Sequence, residues 1–512
     1  MWLACLACIP VTSFPLFSQT AGGETPVGPL SLLPLIAIVI LGLIPYFLRG
    51  GTLPGVVRPL VGFAIVAVLS AAVAAALPLL PYKGQTPAGR EVRALATLAI
   101  GLSFYLAAVL LPDSDARKRS SLRAIYFGAA AALAWATLQG LVAVSGREHF
   151  PLIITRIHHL FSVRDPIVGR VSGLAYEPSW LGNQLMALYL PLLGASALLR
   201  QSVFPFRRGW LSVESVMLLW AVGVLLMSRS RISQVGFLLL SLIVVAVLGW
   251  RLLGALERRI GLMPQGGWPV RRVTLTVFNV LLLMAVVGGL VVGAGAAAGQ
   301  SDPRLWALPA IDDRLEDSRR FHPSEVVFAL GDRLAFAERL VYWTSAFRTY
   351  SLYPIFGVGP GNSGFLFEQT LVDYGLRLTE IQRLLREASF GFPNPKNLWA
   401  RLLAETGILG FVFFTWWFIS VGLGAAVLWK RGNGLERYFG LAGVFAFVAQ
   451  LVEGFSLDSY ALPQLWIVFG LATSALWASQ VISESARKQI HSQTPSRAVL
   501  GTGADMYGGR QS

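Results

Sequence analysis

The sequence predicts an all-α polytopic membrane protein. Hydrophobic residues make up 55% of the 512-residue chain and charged residues only 13%, and the mean hydropathy is +0.62. A chain of this composition cannot cover a soluble surface with polar side chains. Crossing a hydrocarbon core of about 30 Å takes about 20 apolar residues in a helix, and runs of that length recur along the chain. These observations exclude a soluble globular protein.

The apolar runs predict about 11 to 12 transmembrane helices. Eleven of them are expected near 29–48, 56–80, 91–111, 124–145, 173–199, 210–228, 232–254, 273–298, 400–429, 436–455 and 460–482. Residues 1–17 are a shorter apolar run without charged side chains. No basic segment precedes this run and no small-residue cleavage site follows it, so we interpret it as a retained helix. A disordered or interfacial terminus is the alternative.

Basic residues alternate between the connections that join these runs. Lysine and arginine cluster in every second connection, for example at Arg117, Lys118 and Arg119 and again at Lys430 and Arg431. This is the positive-inside pattern, and it places those connections and the C-terminus in the cytoplasm. The formal net charge of +15 therefore reflects topology and does not indicate nucleic-acid binding.

Three connections that should face outward carry many arginines in spite of this rule, namely 146–172, 228–231 and 299–396. The arginines that we single out there are Arg170, Arg229 and Arg231, which lie near predicted ends of spans, and Arg339, which lies within the long connection 299–396. A guanidinium pairs bidentately with phosphate oxygens and stays protonated, which suits a pyrophosphate. Contacts with lipid headgroups, or ion pairs with nearby carboxylates, are the alternative.

The chain divides at its one long insertion. We predict an N-terminal transmembrane bundle over 1–298, a large periplasmic loop over 299–396, C-terminal transmembrane helices over 397–482 and a disordered cytoplasmic tail over 483–512. Helical spacing of apolar positions predicts amphipathic helices within the loop near 324–350 and 376–388. Between them, Gly357, Gly359 and Gly361 form a turn; we favour a loop-shaping role for it over a phosphate cradle.

Four short motifs, taken in order, resemble the O-antigen ligase and polymerase family. The first motif runs from Arg170 to Ser179 and the second from Ser228 to Arg231. The third consists of Arg339 and the glycine turn that follows it, and the fourth runs from Asn397-Leu398 to Glu405-Thr406-Gly407. The last motif opens a predicted membrane span, so its polar groups lie where a loop meets the bilayer. The resemblance covers roughly 165–425.

The resemblance implies a GT-C-like membrane glycosyltransferase in the bacterial inner membrane with its active site facing the periplasm. Such an enzyme moves a glycan from an undecaprenyl-pyrophosphate donor to an acceptor glycan or lipid core, and its other partners are membrane lipids. Many members have a histidine before the Asn-Leu pair, where this chain has Lys396. That difference puts in doubt the role assigned to the histidine, as base or orienting group for the acceptor hydroxyl.

The acceptor hydroxyl must lose a proton during transfer, and the outward segments offer Glu177, His322 and Lys396 as bases. A lysine would need its pKa, ordinarily about 10.4, lowered by roughly three units, whereas a carboxylate beside arginines is already ionised. We therefore predict that Glu177 is the base or orienting carboxylate and that Lys396 binds phosphate or hydroxyl. The alternatives are an ion pair of Glu177 with Arg170 and an interfacial position for Lys396.

We predict no cofactor and no metal, because arginines can neutralise the leaving group and the outward loops hold no Asp-x-Asp or His/Cys cluster. The rival function is a transporter or flippase of lipid-linked oligosaccharides. Transporters commonly show internal repeats, paired broken helices and acidic residues deep in their spans. No repeat is apparent in this sequence, and the charged residues cluster at the outward ends of the predicted spans. We therefore favour the enzyme.

Overall fold

A computed structural model of the protein describes residues 1–20, 27–145, 149–208, 211–259, 327–328, 331, 336–387 and 391–493. Within these residues the regular structure is helical, apart from a two-stranded ribbon in which β1 (Arg207–Arg208) pairs with β2 (Leu211–Ser212). The helices are α1 (Trp2–Ala7), α2 (Pro15–Thr20), α3 (Leu32–Ile38), α4 (Ile44–Leu48), α5 (Arg58–Ala74), α6 (Pro87–Leu110), α7 (Asp115–Val144), α8 (Leu152–His158), α9 (Pro178–Gln184), α10 (Leu190–Leu199), α11 (Val213–Ser228), α12 (Arg231–Arg259), α13 (Ala337–Leu352), α14 (Phe367–Thr370), α15 (Thr379–Arg386), α16 (Leu398–Arg431), α17 (Gly434–Glu453) and α18 (Ile467–Gln493).

Six described helices are long and apolar enough to cross a membrane, which confirms the predicted all-α polytopic class. They are Gly55–Ala74, Pro87–Leu110, Asp115–Val142, Pro178–Leu199, Leu398–Arg431 and Gly434–Glu453. Shorter apolar helices at Leu32–Leu48, Val213–Ser228 and Arg231–Val245 lie at three more predicted spans, and α18 overlaps the last one. The predicted span 273–298 lies outside the described residues.

The predicted single helix over residues 1–17 is wrong. Helix α1 ends at Ala7, α2 begins at Pro15, and between them Ser13 forms β-bridges with Gly28 and Ser162. Pro10 cannot donate a backbone hydrogen bond, which disfavours a continuous helix through this segment. A six-residue helix rises only about 9 Å, so α1 is too short to span the bilayer.

Helices α16 and α17 form the antiparallel pair on which the candidate site rests. The Leu398 amide at the start of α16 donates to the Gly454 carbonyl just after α17, at 2.7 Å. At the opposite end of the pair lie the basic residues Lys430 and Arg431. The two ends therefore differ in charge and loop content, and we call the end that contains Leu398 the loop end.

The long loop carries its own small apolar core. Tyr342 of α13, Phe367 of α14 and Ile381 of α15 are buried together, and Ala346 of α13 is buried against Ala400 of α16. The amphipathic helices predicted in this loop are therefore present and lie on the loop end of the bundle. The first part of the loop lies outside the described residues.

Helix α16 is broken at Gly407, where φ is 61° and ψ is −166°. The backbone groups freed by the break bond to the glycine turn: the amides of Val358 and Gly359 donate to the carbonyls of Ala404 and Glu405, each at 3.0 Å. In return the Ile408 amide donates to the Pro354 carbonyl at 2.8 Å. The turn thus shapes the loop, as favoured from sequence. The amides of Val358 and Gly359 are not available to bind a phosphate, because they already donate to carbonyls of α16.

We expect Gly407→Ala to unfold or strongly destabilise the protein. A Cβ at this position would lie 2.2 Å from the Ile355 carbonyl oxygen, and φ lies in the left-handed region; backbone strain alone costs about 1–3 kcal/mol. Gly223→Ala is the matched control, since it lies inside α11 with nothing within 4 Å of its Cβ. Thermal unfolding midpoints in detergent measure the difference. Equal midpoints for the two variants would show that the break at Gly407 does not constrain the fold.

Candidate arginine-lined active site

A cavity of about 570 Å³ opens at the loop end of the bundle. The loop before α9, the turn between α11 and α12, the start of α13 and the segment after α17 form its walls. Its lining residues are Arg164, Ile167, Val168, Arg170, Glu177, Pro178, Ser179, Arg229, Ser230, Arg231, Ile232, Gln234, Phe336, Arg339, Phe455 and Ser456. Five arginines and one carboxylate thus share a single space, although they come from three separate parts of the sequence. We call it the arginine cavity.

The turn between α11 and α12 presents two of these arginines. Helix α11 ends because Arg229 adopts left-handed backbone angles, with φ at 51° and ψ at 34°. The Ser228 hydroxyl accepts a hydrogen bond from the Ser230 amide at 3.3 Å and supports the turn. A left-handed conformation is uncommon for a residue other than glycine and is often found at functional sites. Among the described residues, the Arg229 guanidinium makes no hydrogen bond or ion pair, so its charge is available to a ligand.

Arg170 joins the loop before α9 to this turn. Its guanidinium donates to the carbonyl oxygens of Ser228 and Arg229, at 3.2 and 3.3 Å. Burial lowers the pKa of Arg170; Glu177 opposes that shift, and Arg231 is one of three arginines that add to it. The guanidinium remains protonated at neutral pH. This clustering of like charge would be relieved by a bound anion.

Glu177 lies immediately before α9 and lines the same cavity. Its carboxylate pairs with the Arg164 guanidinium at 2.7 Å and also accepts a hydrogen bond from the Ser179 hydroxyl. The Arg164 guanidinium also lies over the Tyr176 ring, 5.2 Å from its centroid. The alternative considered for Glu177 was an ion pair with Arg170; the structure pairs it with Arg164 instead. Arg164 is therefore a site residue that the sequence analysis did not single out.

Arg339 closes the opposite side of the cavity from the first turn of α13. Its guanidinium donates to the carbonyl oxygens of Lys396 and Ser456, at 3.1 and 3.0 Å. It thereby ties the long loop to the start of α16 and to the segment after α17. Arg339 thus combines a cavity position with a structural one, and the contribution of Ser456 was missed because a backbone carbonyl leaves no sequence signal.

Lys396 does not line the arginine cavity. Its ammonium group pairs with the Glu380 carboxylate at 2.7 Å and lies 4.3 Å from the centroid of the Tyr342 ring. Burial opposes ionisation of Glu380, but Lys396, Tyr342 and Arg339 outweigh burial, so the pKa of Glu380 is lowered. The structure therefore gives no support to Lys396 as a phosphate or hydroxyl ligand, because its ammonium group already has a carboxylate partner. The alternative, a lysine that only lies at the membrane interface, does not account for the ion pair with Glu380 either.

The remaining polar groups of the last motif lie inside the bundle. The Arg401 guanidinium pairs with the Glu405 carboxylate at 2.9 Å and donates to the Asp458 carbonyl at 2.8 Å. The Ser363 hydroxyl also donates to Glu405, at 3.0 Å. Glu405 thus bonds within the structure and does not reach the cavity. His322, the third candidate base, lies outside the described residues.

A buried polar network that was not foreseen joins α9 to the end of α17. The Asn183 amide donates to the Glu453 carboxylate at 3.1 Å and accepts from the Gln464 amide at 3.0 Å. These residues join α9, the end of α17 and the segment before α18. The network fixes the elements that carry Glu177 and Ser456 relative to one another.

Comparison with known protein families supports the motif assignment. The family model of the O-antigen ligase matches residues 216–415. This range includes the turn from Ser228 to Arg231, which we call the arginine turn, together with α13, the glycine turn and the break at Gly407. The motif from Arg170 to Ser179 precedes this range. No curated protein matches the chain. The family implies a glycosyltransferase-type enzyme that acts on lipid-linked glycans in a membrane. Residues 216–415 of the chain are therefore similar to the O-antigen ligase family.

Proposed function

We propose that the protein transfers a glycan from an undecaprenyl-pyrophosphate donor to an acceptor glycan or lipid, at the outer face of the bacterial inner membrane. The observation that carries this proposal is the arginine cavity, in which five guanidinium groups and the Glu177 carboxylate surround about 570 Å³. A membrane-embedded donor brings its pyrophosphate to the bilayer surface, and the cavity opens at the loop end of the bundle.

The charges in the cavity match a pyrophosphate. Arg229 has no competing partner among the described residues, while Arg170 and Arg339 are each held by two backbone carbonyls. The fixed cations Arg170 and Arg339 need no reorganisation when negative charge develops on a leaving group, whereas the Arg229 guanidinium can turn to meet the phosphate oxygens. We assign Arg229 and Arg231 to the pyrophosphate and Arg170 and Arg339 to the walls that position it.

The transfer step exchanges one bond to the anomeric carbon for another. The bond from that carbon to the pyrophosphate oxygen breaks, the electron pair leaves with the lipid pyrophosphate, and the acceptor oxygen bonds to the carbon. The acceptor proton passes to Glu177, which Arg164 and Ser179 hold in place.

A periplasmic position for the cavity follows from the distribution of basic residues, and cysteine labelling tests it. In a background without Cys5 and Cys8, Val163→Cys at the loop end should react with a membrane-impermeant maleimide in spheroplasts. Arg431→Cys at the other end should react only after permeabilisation, because both side chains are exposed but lie on opposite sides. The reverse result would place the cavity in the cytoplasm.

The transporter alternative gains one feature from the structure, since α16 is a broken helix. The backbone groups at its break are bonded to residues 354–359, so they are not free to coordinate a transported ion. A reconstitution experiment separates the two functions. Proteoliposomes with a lipid-linked glycan and an acceptor should yield glycosylated acceptor and free lipid pyrophosphate in equal amounts, with or without EDTA.

Movement of the donor between leaflets without a new glycosidic bond would favour the transporter. EDTA inhibition that is reversed by a divalent ion would show that the arginines alone do not stabilise the leaving group.

A further inference from the structure

Glu453 is a buried acidic residue at the last position of α17 that the proposed transfer step does not use. Its side chain is fully buried, and its partners are the Asn183 amide, at 3.1 Å, and the Ser233 hydroxyl. Within the described part of the chain no lysine or arginine pairs with it. Burying a carboxyl group without a cation partner is costly unless its hydrogen bonds are well made. These two bonds therefore constrain the residues that donate them.

A chain of hydroxyl groups connects Glu453 to the arginine turn. The Ser233 hydroxyl lies 2.9 Å from the Ser230 hydroxyl, and Ser230 lines the arginine cavity. Both serines are buried. Helix α9 covers them closely, since a Cβ at Gly182 would lie 2.5 Å from the Ser233 oxygen and 2.9 Å from the Ser230 oxygen. Ser230 directly follows Arg229, so the chain of hydroxyl groups ends next to the left-handed position of the turn.

The backbone of Glu453 supports a second wall of the cavity. Its carbonyl accepts a hydrogen bond from the Ser456 amide at 2.9 Å. The Ser456 carbonyl in turn accepts from the Arg339 guanidinium at 3.0 Å. On the other side, Asn183 belongs to α9, which begins directly after Glu177. Glu453 is thus bonded, directly or through one residue, to α9, α12, α13 and the segment after α17.

We propose that Glu453 is a positioning residue for glycan transfer, which acts through Ser233 and Ser230 to fix the arginine turn. This inference rests on the proposed function, in which Arg229 binds the donor pyrophosphate. When the Ser233 hydroxyl donates to Glu453, the Ser230 hydroxyl is left to donate to Ser233, so both serines are held in one arrangement. The Arg229 guanidinium makes no hydrogen bond or ion pair among the described residues, and the backbone of the turn therefore sets where its charge lies. Glu453 does not line the cavity, so it acts without touching the donor.

A double-mutant cycle tests whether Glu453 acts through Arg229. Glu453→Ala should lower kcat/KM for the undecaprenyl-pyrophosphate donor about tenfold, the order expected when a buried hydrogen bond no longer supports the active arrangement. In an Arg229→Ala background the same change should lower the residual value less than twofold, because the guanidinium that it positions is already absent. Glu453→Gln should stay within about threefold of the wild type, since its amide oxygen can still accept from Asn183 and Ser233.

Gln450→Ala is the matched control. Gln450 is buried in α17 about one turn before Glu453, and its amide oxygen has no hydrogen-bond partner among the described residues. It should transfer within twofold of the wild type in both backgrounds. Ser233→Ala removes the link and leaves Glu453 in place, so it should repeat the tenfold loss. If Glu453→Ala does not fold, Ser233→Ala in the two backgrounds provides the same comparison.

Equal losses in the presence and absence of Arg229 would overturn the inference, because Glu453 would then support the fold independently of the turn. Full activity of Glu453→Ala, or a loss from Gln450→Ala as large as that from Glu453→Ala, would overturn it as well. Full activity of Arg229→Ala on its own would instead contradict the proposed function, in which this arginine binds the pyrophosphate. The two failures are therefore distinguishable in one set of measurements.

Discussion

Arg229→Ala is expected to lower the rate of glycan transfer by about 10²–10³-fold, the usual effect of removing one group that stabilises negative charge in the transition state. The Arg229 guanidinium lines the arginine cavity and makes no hydrogen bond or ion pair among the described residues. Its removal therefore takes away charge without breaking an internal contact, and alanine retains the backbone position. Thermal stability and membrane insertion should match the wild type. The measurement is the steady-state rate of transfer by reconstituted protein.

Arg156→Ala is the matched control for this loss of charge. Arg156 lies in the last turn of α8, in the outward loop that also carries Arg164, but it is exposed and does not line the cavity. The Arg156→Ala variant should transfer glycan at a rate within twofold of that of the wild type. Arg229→Lys should fall between the two, because an ammonium supplies charge without the bidentate geometry. Full activity of Arg229→Ala would remove the arginine turn from pyrophosphate binding.

Glu177→Gln is expected to lower transfer by about 10²–10⁴-fold, the range for a general base, while donor binding is retained. The amide keeps the shape of the side chain and can still contact Arg164 and Ser179, but it cannot take the acceptor proton. Lys396→Arg should stay within about tenfold of the wild type, because an arginine can still pair with Glu380. Rate measurements with saturating donor, together with separate donor-binding isotherms, distinguish the two effects.

The opposite order would assign the base to Lys396. An arginine cannot be deprotonated at any working pH, so Lys396→Arg would then be inactive while Glu177→Gln turned over normally. Such a result would also require the pair between Lys396 and Glu380 to open during the reaction.

The convergence of the predicted arginines could be foreseen, because charge at the outer ends of membrane spans is costly and is usually retained for a task. Arg170, Arg229 and Arg231 were singled out on this ground and Arg339 on its motif within the long loop, and all four line one cavity. Their assignment to pyrophosphate stays a prediction. The helical class and the six described helices that are long enough to span a membrane could be predicted from hydropathy alone.

Other features left no pattern in the sequence. The pair between Lys396 and Glu380 depends on how α15 folds back over the start of α16, which spacing along the chain does not specify. The break at Gly407 was hidden, since a glycine within an apolar run is also compatible with a continuous helix. The single helix predicted over residues 1–17 was based on hydropathy and neglected the helix-breaking effect of Pro10.

Protection of the arginine cavity by the donor tests the central claim most directly. Ile232→Cys, in a background without Cys5 and Cys8, places a thiol in the lining between the turn and Gln234. The undecaprenyl-pyrophosphate glycan should slow maleimide labelling of this thiol, inorganic pyrophosphate should slow it at higher concentration, and Arg229→Ala should abolish both effects. Val163→Cys, outside the cavity lining, should label at the same rate throughout. Unchanged labelling at position 232 while transfer proceeds would contradict the claim that the arginine cavity holds the donor pyrophosphate.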